Sequence, residues 1–282
     1  MTVETRAREE NFPVASRLLP RVHRSRLLAV YAFARWVDDV GDERPRDEAL
    51  RLLDTVEDDL RRLYEGDAPR LPVVRGLAPV VTACSIPVAP FLALVQANRL
   101  DQAVSRYRTF DDLLAYCELS ANPVGRIVLH VFGAATEEHL RLSDRICTAL
   151  QIVEHCQDVA EDHARGRVYL PAEDLRRFGC SESDLRAAST PRRLRLAVAL
   201  QVDRAERLLR AGEPLTASLT GLARVAVSGY VAGGQATVAA LRRAGHDVLG
   251  RSVRPRRTVL AAAWLRLLAR GGRHDHDVKE VL

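Results

Sequence analysis

The chain has 282 residues, a net charge of +5, 47% apolar and 28% charged residues. That balance belongs to a folded globular protein and excludes a disordered or collagen-like chain. The charge excess is too small at this length to point to nucleic acid, and five cysteines with no CxxC pair argue against a zinc site or disulfide framework and for a reducing cytosol.

Taken in chain order, the hydrophobic pattern is helical nearly throughout. Helices are predicted over 9–18, 23–43, 47–65, 73–84, 88–105, 110–132, 136–164, 171–178, 182–187, 190–212, 216–245 and 256–271. Gly and Pro punctuate them at Pro20, Glu43–Pro45, Gly66–Pro72, Gly133, Gly166–Pro171, Gly212–Pro214 and Gly250–Pro255. No linker marks a domain boundary and no repeat is visible, so one all-α domain over 1–282 is expected. No apolar core segment lies in the first twenty residues, so no signal peptide is expected. The uncharged stretch Leu77–Asn98 holds Pro79, Pro87 and Pro90. Proline breaks the hydrogen-bond ladder a lipid-exposed helix needs, so the stretch reads as two buried helical pieces around a loop at 85–90 rather than a membrane span.

Two helices carry acids at helical spacing. With about 100° per residue and Leu27 at zero, Tyr31, Ala34, Asp38 and Asp42 fall near +40°, −20°, +20° and +60°. The aspartates therefore read as continuing an apolar stripe, where carboxylates are costly without compensation. A hard divalent cation would compensate, and oxygen ligands suit Mg²⁺. The plainer reading is a solvated helix end with Arg35 as partner. In the second helix Gln151, Glu154, Asp158, Asp162 and Arg165 share one face, with Glu161 beside it. Ile152, Val153, Cys156, Val159 and Ala160 lie opposite, and the plainer reading is a solvated polar face. His155, one residue after Glu154, reads either as a metal ligand or proton shuttle or, more plainly, as a flank residue with a hydrogen bond or solvent. Pro123, between Ala121 and Gly125, predicts a kink.

The ordered motifs resemble the squalene/phytoene synthase family over essentially the whole chain. They are Glu10-Asn11-Phe12-Pro13-Val14-Ala15-Ser16, Tyr31-Ala32-Phe33-Ala34-Arg35 leading into Asp38-Asp39-Val40-Gly41-Asp42, Tyr116-Cys117 before Ser120-Ala121-Asn122-Pro123-Val124-Gly125, and Gln157-Asp158-Val159-Ala160-Glu161-Asp162 before Gly166-Arg167-Val168-Tyr169-Leu170-Pro171. Within the family they are most similar to the bacterial hydroxysqualene synthase branch. The resemblance implies a single-domain class I isoprenoid synthase helical bundle around a central cavity. It implies conversion of presqualene diphosphate and water to hydroxysqualene, with Mg²⁺ on Asp38, Asp42, Asp158 and Asp162, assisted by Glu161. It places Arg35, Gln151, Arg167 and Tyr169 at the diphosphate, and Phe12, Tyr31, Tyr116, Val124 and Gly125 along the cavity. Glu154 stands where many members have Asn, and Gln157 where many have Arg. Both changes shift the expectation from condensation of two prenyl diphosphates towards water capture, with Glu154 the candidate to place the water. Gly41 reads as loosening the end of the first acidic helix, and Tyr230 has no fixed counterpart.

No flavin or nicotinamide motif is visible. The alternatives are a head-to-head synthase making presqualene diphosphate or phytoene, and a non-catalytic assembly or lipid-binding protein on the same fold. From Arg242 to Arg273 there are nine arginines and one acid, Asp247. The amphipathic helix there, with Trp264, reads either as a packing helix or as a peripheral contact with the inner face of the cell membrane.

Overall fold

A computed structural model describes residues 19–250 and 252–271. The predicted helix at 9–18 and Phe12 lie outside them. The described residues form helices and, among them, no strand; an isolated parallel bridge joins Arg106 and Val168. The fold is therefore all-α, as the periodicity predicts.

The described residues divide into two compact units, those up to 104 with 118–140, and 105–117 with those from 141 on. In the first unit α1 (Arg21–Glu43), α2 (Arg46–Glu65), α3 (Pro72–Cys84), α4 (Ala89–Asp101) and α6 (Asn122–Val131) pack together. α1 buries Leu27, Val30, Phe33, Val37 and Val40, and Phe33 meets Phe91 of α4 edge to face at 5.4 Å. The α3–α4 loop falls at Ser85–Val88, as the prolines predict, and Ser85 adopts a left-handed cap conformation. No described helix is long and apolar enough to cross a membrane.

The helix predicted at 110–132 is two: α5 (Phe110–Ser120) ends before Ala121, and Pro123 sits in the first turn of α6. There the missing N–H costs nothing, so proline starts a helix rather than kinking one.

The second unit holds most of α5 and then α7 (Glu137–Gln157), α8 (Val159–Ala164), α9 (Ala172–Arg177), α10 (Glu182–Leu185), α11 (Arg192–Gly212), α12 (Pro214–Ser218), α13 (Gly221–Arg243) and α14 (Arg257–Gly271). Glycines let these helices close up. A Cβ on Gly212 would lie 2.6 Å from Ile146 Cγ1 and 2.8 Å from the Leu142 carbonyl, and one on Gly234 would lie 2.7 Å from Leu150 Cδ2. Trp264 donates its indole N–H to the Val225 carbonyl at 3.0 Å, so α14 is pinned to α13 by the residue that a membrane contact would have turned outward. All five cysteines are free thiols.

Candidate active site

In the first unit the acidic motif ends α1. The structure corrects the expected stripe. Buried Val30, Phe33, Val37 and Val40 lie on a face roughly 125° round the helix from the row of Tyr31, Ala34, Asp38 and Asp42, and Leu27, one turn before Tyr31 on that row, is buried at its start. Tyr31 and Ala34 are half-buried, and Asp38 and Asp42 keep accessible surface. The row is thus not core but a separate accessible face. Residue type marked it apolar, but the side that packs is set by neighbouring helices.

Gly41 does not loosen the helix, which runs on to Glu43. Its role is close approach: a Cβ there would sit 2.3 Å from Asn98 Oδ1. Through that gap buried Asn98 donates its amide to Asp38 Oδ1 at 3.0 Å, and Gln102 donates to the Gly41 carbonyl at 2.8 Å. Surrounding protein desolvates the Asp38 carboxyl and pushes it up to about 6, with Asp42 adding repulsion and the Asn98 donor opposing. Arg35 forms its ion pair with Asp39, at 2.9 Å, while its charge also favours ionised Asp38. At the start of α6, Val124 is 39% exposed and Gly125 half-buried.

In the second unit the helix predicted over 136–164 breaks at Asp158 (φ −99°, ψ 14°). The ladder survives the break: Asp158 N–H reaches the Glu154 carbonyl at 3.0 Å, and Asp162 N–H reaches the Asp158 carbonyl at 2.8 Å. The two acids therefore stay one turn apart. Gln151, Glu154, Gln157, Asp158, Asp162 and Arg167 are half-buried, which is not a simply solvated face. Burial, then Asp158 and Glu161, push Asp162 up to about 7; burial and Glu161 also raise Asp158. Exposed Glu161 pairs with Arg165 at 2.8 Å. Gln157 does not leave the motif without positive charge: its amide holds the Val253 carbonyl, and the charges of Arg165 and Arg254 act on Asp158.

A turn through Gly166 (φ +83°) brings Arg167 N–H onto the Asp162 carbonyl at 2.8 Å. Val168 and Ala172 then pair their N–H groups with the carbonyls of Ser105 and Tyr107, both at 2.9 Å. This pairing places Tyr107, Tyr116 and Tyr169 as a buried cluster with ring centroids 5.3–5.6 Å apart. His155 belongs to it, and sequence reasoning undervalued it. The ring is 7% exposed and stacks on Tyr169 at 3.7 Å and 10°. On the helical projection it sits at the border of the polar and apolar faces, four residues after Gln151, which was the available signal. Burial also raises the Tyr230 phenol, on α13.

Acids elsewhere mark the contrast. Buried Asp59 accepts the N–H groups of Arg70 and Leu71 at 2.7 Å each, and Asp174 is held by Gln201 and Arg204. The Arg193 guanidinium, 2.7 Å from Asp184, helps push that carboxyl down to about 2. Each of these structural carboxylates takes at least two donors, whereas Asp38 is raised despite the Asn98 amide and Asp158 and Asp162 are crowded and raised.

Among the described residues no three His, Cys, Asp or Glu side chains converge to hold a metal by themselves. Each motif offers two carboxylates, and Mg²⁺ commonly takes one or two, completing its shell with water and phosphate oxygens. The donor set therefore fits a hard divalent cation that arrives with an anionic substrate.

A sequence model of the squalene/phytoene synthase family matches residues 5–262. The chain is 37% identical, over 75% of its length and 72% of the relative's, to a hydroxysqualene synthase of Rhodopseudomonas palustris. It is 32% identical, over 69% of its length and 70% of the relative's, to a presqualene diphosphate synthase of the same organism. Among solved structures, squalene synthase HpnC from Alicyclobacillus acidocaldarius superposes with a TM-score of 0.78 at 43% identity, covering 86% of this chain and 93% of that one.

Proposed function

Because the chain belongs to the squalene/phytoene synthase family and is an isoprenoid enzyme, we propose that it converts presqualene diphosphate and water to hydroxysqualene and diphosphate. Its relatives include hydroxysqualene synthases. The observation that carries the chemistry is the pair Asp158 and Asp162, half-buried and both raised, Asp158 by burial and Glu161, Asp162 by burial, Asp158 and Glu161. Such a pair favours a state in which positive charge sits against it.

Asp38, Asp42, Asp158 and Asp162, with Glu161 assisting, are the residues that would hold Mg²⁺. When bound, Mg²⁺ neutralises the diphosphate and makes it a competent leaving group. Arg35 in the first unit and Arg167 in the second are each proposed to add charge-assisted hydrogen bonds to the diphosphate oxygens, with Gln151 and Tyr169 as further polar partners in the second. The π faces of Tyr116 and its neighbours Tyr107 and Tyr169 stabilise the cation left on the hydrocarbon. Tyr31, Val124 and Gly125 line the path of the chain. Glu154 orients the water that attacks the cation and accepts its proton. The family match over residues 5–262 supports reading 1–282 as one synthase domain.

The test is incubation with presqualene diphosphate and Mg²⁺, with product analysis. Hydroxysqualene is expected, and none should form in EDTA. The presqualene diphosphate synthase relative favours a second reading, condensation of two prenyl diphosphates. Farnesyl diphosphate supplied alone separates the two, because only a condensing enzyme consumes it.

We also propose that α14 rests on the inner face of the cell membrane. Trp264 is engaged in packing, but Leu265 is 66% exposed beside Arg266. Sedimentation with anionic liposomes should fall in an Arg254/Arg256/Arg257→Ala variant; equal binding removes this part of the reading.

A further inference from the structure

Gln151, His155, Asp162 and Tyr169 meet in the second unit around one imidazole. The His155 ring is nearly closed to solvent and lies flat on the Tyr169 ring, 3.7 Å between centroids. The Gln151 amide nitrogen faces His155 Nε2 at 3.2 Å, and His155 Nδ1 faces Asp162 Oδ2 at 3.9 Å.

The contacts fix the tautomer. An amide nitrogen has only hydrogens to offer, so Nε2 accepts and the ring proton sits on Nδ1. Nδ1 thus turns its N–H towards the Asp162 carboxylate. At 3.9 Å the approach is longer than a direct hydrogen bond, and a small rotation of Asp162 or one bridging water completes it.

We propose that His155 is a positioning residue: clamped by Tyr169 and Gln151, it presents Nδ1–H to Asp162 and fixes the carboxylate in the orientation that binds a divalent cation. The inference rests on the reading of Asp162 as a metal ligand. Partners of this outer kind set the direction of a ligand's lone pairs, and their loss typically costs about 10–100-fold in metal affinity. The stack explains why a histidine is needed. It supplies a flat ring for Tyr169, an acceptor for Gln151 and a donor for Asp162, which no aliphatic side chain does.

The experiment measures Mn²⁺ binding to the full-length protein by EPR in the presence of inorganic diphosphate, with thermal melts alongside. His155→Leu keeps buried volume and removes both nitrogens; its Mn²⁺ affinity should fall by about tenfold or more. His155→Asn places an amide N–H where Nδ1 was and should restore most of the affinity. His155→Gln places it where Nε2 was and should remain weak. The Mg²⁺ concentration for half-maximal turnover should rise in His155→Leu, with kcat recovering at saturating Mg²⁺, a split that mere loss of packing does not produce. Wild-type Mn²⁺ affinity in His155→Leu, or equal weakness of His155→Asn and His155→Gln, overturns the proposal. Should His155→Leu fail to fold, the Asn and Gln variants, both polar and close in size, still decide it. A wild-type protein that binds no Mn²⁺ with diphosphate overturns the metal reading itself. That result is distinct from one in which the wild type binds and the variants match it.

Discussion

Asp38 in the first unit and Asp162 in the second both hold their protons more tightly than ordinary carboxyls, but the fold raises them differently. At Asp38 the cause is desolvation by surrounding protein of a carboxyl on an accessible face, partly offset by a dedicated donor, Asn98, admitted by the missing side chain of Gly41. At Asp162 burial is joined by Asp158 and Glu161, and the facing group is the neutral imidazole of His155. The first acid is held by a neighbouring helix, the second crowded by its own motif. On the proposed function a cation would relieve both, and the first motif should tolerate its absence better, because one of its oxygens already has a partner.

The sharpest way to break the comparison is to remove the charge. Asp38→Asn and Asp162→Asn should each lower turnover by roughly a hundredfold or more, measured under saturating Mg²⁺. Full activity in either variant would take that motif out of the site. Next in size is Gly41→Ala. Its Cβ must displace Asn98, so a loss of about 1–3 kcal/mol in unfolding free energy is expected from denaturant melts, together with the Asp38 contact. If Gly41 merely loosened the helix, alanine would instead stabilise it.

A smaller effect is expected from Asn98→Leu. The Asn98 donor lowers the Asp38 pKa, so removing it moves the acid limb of the rate profile to higher pH. A limb that stays put, or moves down, denies Asn98 that role. The smallest effect concerns stability. Asp162 titrates near 7 in the folded chain against 3.8 for a free carboxyl. The folded state therefore keeps a proton that the unfolded state releases. The stability from that proton is complete below about pH 4 and lost as pH rises through 7. Melting temperatures in EDTA should fall from pH 5 to pH 8, and the slope should be shallower in Asp162→Asn. Equal slopes would show that Asp162 does not titrate there.

Much of the fold is legible in the sequence because Gly and Pro punctuate a strong 3.6-residue period; the α3–α4 loop falls where Pro87 and Pro90 predict it. The split at Asp158 escapes because no Gly or Pro stands there; the split at Ala121 is marked by Pro123, but in the sequence that proline reads as a kink within one helix rather than as the start of a second. Asp38, Asp42, Asp158 and Asp162 stand out by spacing. What surrounds them does not. Tyr31 and Ala34 look like core because residue type carries no direction. Gly41 looks like a weak helix former because the need for space comes from Asn98, 57 residues on. His155 looks like a flank residue because the ring that covers it, Tyr169, arrives only after the Gly166 turn. Tertiary neighbours decide all three.

The most direct test of the central claim, that these crowded carboxylates bind diphosphate through a divalent cation, is calorimetric titration of the full-length protein with inorganic diphosphate, in buffers of different ionisation enthalpy. With Mg²⁺ present, diphosphate should bind with release of protons near pH 6.5, as Asp38 and Asp162 ionise against the cation. In EDTA it should not bind. Equal affinity with and without Mg²⁺, or binding with no proton release, would contradict the account.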